Sequence, residues 1–298
     1  MARLISSKTA RTAGLWALFL ALVFAVTAPM LADLDAWGVH DWPQFYTYYG
    51  VPRRAVAEFH ELPGWNPYFY GGNVQWGHPD DPTLSPFFLL ILAFGEVAGS
   101  KVAIVVTLLA GLYSMWLLAR ETGASRIAAF FAASLWALNG WHAYHFAVGH
   151  MDHLTFLLQP LAVFFLLKSV RNLRWTPATG AVVALMYLSG GPYPFVFTSI
   201  LLVVSALILC GVNNSTKPIA AAMLGLVFAA GFAMVKLLPT AEFVLYAEGS
   251  QSDASGTPLA VVWRALFDSS LGMPGRYGRL PWGCLLYTSD AADEEDSV

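Results

Sequence analysis

Long apolar runs alternate with short polar breaks along this chain, and the pattern predicts seven membrane-spanning helices. The runs are Gly14–Leu31, Lys101–Ala119, Ile127–Gly140, Leu154–Leu167, Ala178–Ser189, Phe195–Val212 and Pro218–Leu238. A helix needs about 20 mostly apolar residues to cross a bilayer. In hydrocarbon every backbone polar group must be paired inside the protein, which leaves helices or a closed barrel. These runs lack the alternation of barrel strands, so the predicted fold is all-α, a polytopic transmembrane helical bundle. Ile127–Gly140 and Ala178–Ser189 are short for the task. Either the helices break around a site there, or their ends reach beyond the apolar stretch. Pro86–Gly95 (PFFLLILAFG) is shorter still and predicts a helix lying in the interface.

Between the first run and that interfacial segment lies an insert of different character, residues 32–85. It reads DLDAWGVHDWPQFYTYYG and, further on, ELPGWNPYFYGGNVQWGHPDDPTLSP. Carboxylates, His, Asn, Gln, Trp, Tyr and Gly are concentrated there without a long apolar run. It is expected to form a large loop and a working surface, with the helices downstream holding it in place.

Composition agrees with the membrane assignment. The chain is 57% hydrophobic and 12% charged, against about 25% charged residues in soluble domains. The formal charge of -3 is set by the C-terminus; without Asp290, Asp293, Glu294, Glu295 and Asp296, 14 acids face 16 bases. The stretch Cys284–Glu294, CLLYTSDAADE, resembles the translation of a sequencing-library adapter. Residues 284–298 are therefore expected to be foreign, the chain a truncated fragment lacking further C-terminal helices, and the fragment itself inactive. Cys210 and Cys284 are the two cysteines, too few for a disulfide framework or a thiolate metal site.

Charge also orients the predicted bundle. The four loops assigned to one side carry Arg3, Lys8, Arg11, Arg120, Arg126, Lys168, Arg171, Arg174 and Lys217 against the single acid Glu121. Such loops are cytoplasmic by the positive-inside bias, which puts the N-terminus in the cytoplasm. All seven histidines (40, 60, 78, 142, 145, 150 and 153) fall on the opposite side, with Asp33, Asp35, Asp41, Asp80, Asp81 and Asp152. The chemistry is expected on the extracytoplasmic face.

A first helix, a large outer loop with an acid and then many short-looped helices resembles the plan of the GT-C membrane glycosyltransferases. Ordered motifs narrow the likeness to bacterial membrane proteins near the lipoteichoic-acid-glycosylating family. They are HDWPQFYTYYG (40–50), ELPGWNPYFYGG (61–72), HPDDPTLSP (78–86), GHMDH (149–153), YLSGGPYP (187–194) and LLPTAEF (237–243). The resemblance implies a GT-C-like bundle in the bacterial cytoplasmic membrane. It also implies transfer of a sugar from a polyprenyl-phosphate donor to an acceptor hydroxyl of a glycan or lipid.

The residue types suit that chemistry. A hydroxyl becomes a useful nucleophile when a carboxylate within hydrogen-bond reach takes its proton. Direct displacement at the anomeric carbon inverts its configuration. By its motif position after His40, Asp41 is the expected base, with Asp33 and Asp35 as alternatives. Gln44 is placed to hold the acceptor or the base. Trp65, Asn66, Tyr68, Tyr70, Gly71 and Gly72 combine aromatic faces, an amide and permissive backbone for sugar binding; an aromatic belt at the headgroups and a tight turn are the rival accounts. His78, Asp80 and Asp81 with His150, Asp152 and His153 are candidates to bind the donor phosphate directly or through a divalent ion, magnesium or manganese suiting such carboxylates better than zinc. Lys236, ionisable inside an apolar run, is a candidate phosphate ligand, though it would equally snorkel to the interface. Glu242 is similarly placed, and Tyr193 beside Gly190–Gly191 is expected at the acceptor entrance.

Two other functions fit a polytopic protein. A secondary transporter or lipid flippase should show mid-span acids and repeated halves, and neither is visible. A non-catalytic scaffold would use the outer loop to bind a partner. No feature points to nucleic acid.

Overall fold

The computed structural model describes residues 2–68 and 71–246, with side chains over 13–68 and 71–245. The tail from Cys284, Tyr70, and the side chains of Arg3, Lys8 and Arg11 lie outside what is described. The helices are α1 (Ala2–Leu31), α2 (Trp42–Glu58), α3 (Phe88–Phe94), α4 (Glu96–Glu121), α5 (Arg126–Ala137), α6 (Gly140–Val148), α7 (Gln159–Arg171), α8 (Thr176–Leu188), α9 (Pro192–Asn213) and α10 (Lys217–Tyr246). A 3-10 helix, Met151–Leu158, leads into α7. A small antiparallel hairpin pairs β1 (Trp65–Asn66) with β2 (Asn73–Val74), Trp65 opposite Val74. By contact the chain divides into Met1–Phe243 and Val244–Val298; of the second, only the end of α10 is described.

Every predicted apolar run is helical, and five helices are long and apolar enough to cross a membrane: Ala13–Leu31, Glu96–Glu121, Met151–Arg171, Pro192–Asn213 and Lys217–Leu245. Two predicted spans are short in fact. α5 has 12 residues and α8 has 13, so each is roughly 18–20 Å long at 1.5 Å per residue. The α5 helix stops for a local reason. Asn139 adopts extended backbone and its side chain accepts from His142 N at 3.1 Å, capping a new helix, α6. Gly140, expected at the end of a span, thus begins α6.

The insert is not all loop. Trp42, Phe45, Tyr46 and Tyr49 recur at helical spacing, and with Tyr48 and Pro52 they form the buried side of α2. Pro43 in the first turn leaves no lost amide bond. The short helix α3 falls inside the predicted interfacial segment 86–95.

The bundle is organised on α4, which packs against α1, α3, α5, α7 and the 3-10 helix. Close approach is provided by small residues, as is usual between membrane helices. A Cβ on Gly111 of α4 would lie 2.9 Å from Leu157 Cβ, and one on Gly180 of α8 would lie 2.7 Å from Gly225 O of α10. At the end of α4, Glu121 pairs with Lys168 Nζ at 2.7 Å and with Arg171, joining α4 to α7. That end lies about 39 Å along α4 from Glu96 (26 residues at 1.5 Å each), while the polar groups considered next gather at the other.

Candidate functional site

The first turn of α2 is fastened to the end of α6. Asp41 N donates to Val148 O at 3.0 Å, and the Trp42 indole donates to Ala147 O at 3.2 Å. Gly149 makes this approach possible: its φ is +90°, and a Cβ there would lie 2.5 Å from Trp42 N. The left-handed turn at Gly149 ends α6 and carries the chain into His150. As a result His150 Nε2 lies 2.9 Å from Asp41 Oδ2, the carboxylate being half exposed.

Behind that pair stand more imidazoles. His150 Nδ1 is 2.6 Å from His145 Nδ1. The ring of His153 stacks on that of His145, centroids 4.3 Å apart and planes within 9°. His153 Nδ1 lies 2.9 Å from Asp152 Oδ1, off the hydrogen-bonding direction. Trp141 packs on His145 at 4.2 Å, and the Tyr193 ring is 5.2 Å from His153. Burial, with the neighbouring His153, His150 and His142, lowers the pKa of His145 to about 3. His145 escaped the sequence assignment. Its signal was WHAYHFAVGHMDH, in which a helix end folds histidines back on one another.

A second polar group forms around the 78–81 loop. Lys236 Nζ donates to Pro79 O at 2.7 Å, Asp81 O at 2.6 Å and Tyr187 O at 3.0 Å. An ammonium has three donors, and all three are used, on a side chain 1% exposed. The expected phosphate ligand is instead a strut that ties α10 to the loop and α8. Asp81 accepts from Thr83 N at 3.0 Å, from Thr83 Oγ1 at 2.9 Å and from Gln75 Nε2. Burial raises its pKa to about 6, against the pull of Lys236, Gln75 and Thr83. Asp80 is raised to about 7, by burial first and then by Asp152. His78 Nδ1 accepts from Asp80 N at 3.2 Å, leaving Nε2, 3.1 Å from Tyr48 Oη, to carry the ring proton. Burial and then Lys236 lower its pKa to about 4. Perturbed titratable groups of this kind gather at functional sites.

The two groups are neighbours. Gly190 (φ +77°) lies directly against Asp80 O, and a Cβ on Gly191 would be 2.9 Å from Asp152 O. The Tyr49 phenol, buried on α2, is pushed up further by Asp152, Asp80 and Asp81. The motifs at 40–50, 78–86, 149–153 and 187–194 therefore meet. Among the described residues, the grouping with ligand atoms close enough for one ion is His145, His150 and His153, with no carboxylate in it. Asp81 is turned instead to Gln75 and Thr83, and His78 to Tyr48.

Other expected residues sit around this centre. Gln44 is half-buried one turn beyond Asp41. Trp65 and Tyr68 are exposed on the hairpin, while Asn66 is fully buried with Oδ1 accepting from Tyr68 N at 3.0 Å and Nδ2 unpartnered. Gly71 and Gly72 have φ of +78° and +121°, as the hairpin turn requires, and Gly72 lies under the Trp65 indole. Glu242 is exposed beside Phe243, whose ring is 5.7 Å from that of His78. Asp33 makes a turn, its Oδ1 accepting from Asp35 N at 3.2 Å and Ala36 N at 3.0 Å.

Next to the histidines an apolar cavity of about 490 Å³ opens between α1, α4 and α6, with Trp42 and Phe146 in its wall. Lys101 and His142 supply polar groups to it. The Lys101 ammonium is held by Asp33 O at 2.6 Å and Ala36 O at 2.8 Å. His142 Nδ1 is buried without a partner. Burial and then His153 lower the His142 pKa to about 4, so the ring is neutral at pH 7.

Fold and site together define a helical membrane protein with a histidine- and carboxylate-rich centre at one end of its bundle. No family model, curated protein or solved structure matches the chain.

Proposed function

We propose that the protein is a membrane glycosyltransferase that moves a sugar from a polyprenyl-phosphate-linked donor to an acceptor hydroxyl. Transfer takes place on the extracytoplasmic face of the bacterial cytoplasmic membrane, with the N-terminus in the cytoplasm. The observation that carries the reading is the Asp41–His150 pair beside a 490 Å³ apolar cavity whose wall includes Trp42. The cavity suits the first prenyl units of a carrier lipid. Lys101 and the unpartnered His142 Nδ1 give its polar side something to offer a phosphate.

Asp41 is the base. The His150 Nε2–H holds its Oδ2, and the half-exposed carboxylate keeps Oδ1 for an acceptor. The acceptor oxygen attacks the anomeric carbon as its proton passes to Asp41. The bond from that carbon to the phosphate oxygen breaks, and its electron pair stays with the phosphate. Configuration inverts, as in any single displacement. Trp65 and Tyr68, both exposed, are rings on which sugar C–H faces can pack. The positive-inside reading is supported by the Lys168–Glu121–Arg171 group at the opposite end of α4.

The test is transfer of labelled sugar from polyprenyl-phosphate donors by the full-length protein in proteoliposomes. Asp41→Asn is expected to lower the rate by about 10²- to 10⁴-fold, the usual worth of a general base, with an unchanged melting temperature. Transfer that survives this change removes Asp41 as the base. A parent protein that transfers no sugar from any such donor ends the reading.

A further inference from the structure

We infer that His145, His150 and His153 form a zinc-binding site, with Asp41 and Asp152 as the carboxylates that orient two of its ligands. One ring nitrogen from each histidine lies within 4.8 Å of the others. All three donors are imidazoles. Nitrogen sets of this kind suit zinc and its neighbours, whereas magnesium and manganese prefer oxygen.

Tautomers favour the site. A histidine that binds a metal commonly gives its other N–H to a carboxylate, which fixes the ring and raises its basicity. His150 is set in that way: Nε2 faces Asp41 Oδ2 at 2.9 Å, which leaves its Nδ1 lone pair pointing inward. That lone pair meets His145 Nδ1 at 2.6 Å, so in the metal-free protein His145 carries the shared proton. Zinc replaces this proton, which is returned to His145 at Nε2, so His145 remains neutral. Bonds of ~2.05 Å at a tetrahedral angle set ligand nitrogens roughly 3.3 Å apart, so the pair opens by about 0.7 Å.

The third ligand is an independent observation. His153 Nδ1 is buried and without a hydrogen bond, although Asp152 Oδ1 is 2.9 Å away. With Nδ1–H given to that carboxylate, Nε2 is the nitrogen left to bind the metal. Three histidines with a fourth position open is the ligand count of a reactive zinc rather than a structural one. Trp141, 4.2 Å from His145, gives the site an apolar wall. His78 has no part in it, being turned to Tyr48 and the Asp80 amide.

The site does not depend on sugar transfer, and its test reads metal binding alone. After treatment with a chelator, the full-length protein in detergent is titrated with zinc chloride by calorimetry, and bound metal is counted by mass spectrometry. One zinc per chain is expected, undisturbed by millimolar magnesium. His145→Gln and His153→Gln should each weaken binding at least 100-fold, and His78→Gln should leave it unchanged. Asp41→Asn should weaken it about 10- to 100-fold, as loss of a carboxylate behind a ligand does. Because Asp41 is half exposed, that variant keeps the test open if the buried histidine changes prevent folding. Cobalt in place of zinc should give the intense visible bands of a four-coordinate ion, lost in His153→Gln. No binding by the parent, or unchanged binding in His145→Gln, His153→Gln or Asp41→Asn, overturns the assignment.

Discussion

Lys236 Nζ lies 2.6 Å from the main-chain oxygen of Asp81, 155 residues earlier in the chain. The bond is one of three from this ammonium, and together they suspend the 78–81 loop from α10. A buried charge is tolerable only when its donors are satisfied, and here each one is.

Lys236→Met should therefore orphan the Pro79 and Asp81 carbonyls, Tyr187 O keeping the Gly190 amide at 3.1 Å. The expected loss of stability is about 3 kcal/mol, in the range for breaking a buried polar network. Thermal melting in detergent measures it. A melting temperature equal to the parent's would show that the strut carries no load.

Gly190 is a second support of the same loop. Its φ of +77° disfavours any side chain, and a Cβ would run into Asp80 O. Gly190→Ala should cost about 1–3 kcal/mol in backbone strain alone and displace Asp80. Gly123 is the control, with φ +93° and nothing within 4 Å of its Cβ position. Gly123→Ala should cost about 1–2 kcal/mol and leave metal binding and transfer untouched, whereas Gly190→Ala should reduce transfer.

His78 predicts a pH dependence. Its folded pKa is about 4, below the ordinary 6.5, so between these values the unfolded chain binds the extra proton. Its contribution to stability is present above pH 6.5 and is lost as pH falls toward 4. At 1.36 kcal/mol per unit the upper limit is about 3 kcal/mol. Comparison with His78→Gln isolates it: the gap between parent and variant melting temperatures should be widest above pH 6.5 and narrow toward pH 4. A gap that widens on acidification would contradict a neutral His78.

The cavity predicts a separation of binding from chemistry. Ala143 and Ala147 line it and are exposed, so a larger side chain there fills space without disturbing the core. Ala143→Trp should raise KM for a lipid-linked donor about tenfold, a cost of 1.4 kcal/mol, with kcat and melting temperature little changed. A fall in kcat alone would place the donor elsewhere.

Much of this architecture was legible in the chain. The apolar runs marked where the bundle helices lie, five of them long enough to cross a membrane, because hydropathy along one segment is local information. The convergence of GHMDH, HPDD and GGPYP at one end was also visible, since charge asymmetry reports which loops share a side. Helix α2 was hidden because its buried positions are aromatic and interrupted by Gly50 and Pro52; the spacing of Trp42, Phe45, Tyr46 and Tyr49 was its one signal. The strut at Lys236 and the pairing of His145 with His150 were not legible. A lysine that snorkels and one that binds three carbonyls look alike in sequence, and the turn at Gly149 decides which histidines meet. Segment lengths alone could not show that α5 gives way to α6 at an Asn cap.

The strut also sets an order for biogenesis. Pro79 and Asp81 leave the ribosome some 155 residues before their partner. The helices through α9 can enter the bilayer while the 78–81 loop still lacks its fastening. Only when α10 is threaded does the loop acquire its seat on Lys236. A nascent chain arrested before that point holds Asp41 and the histidines but not the finished centre.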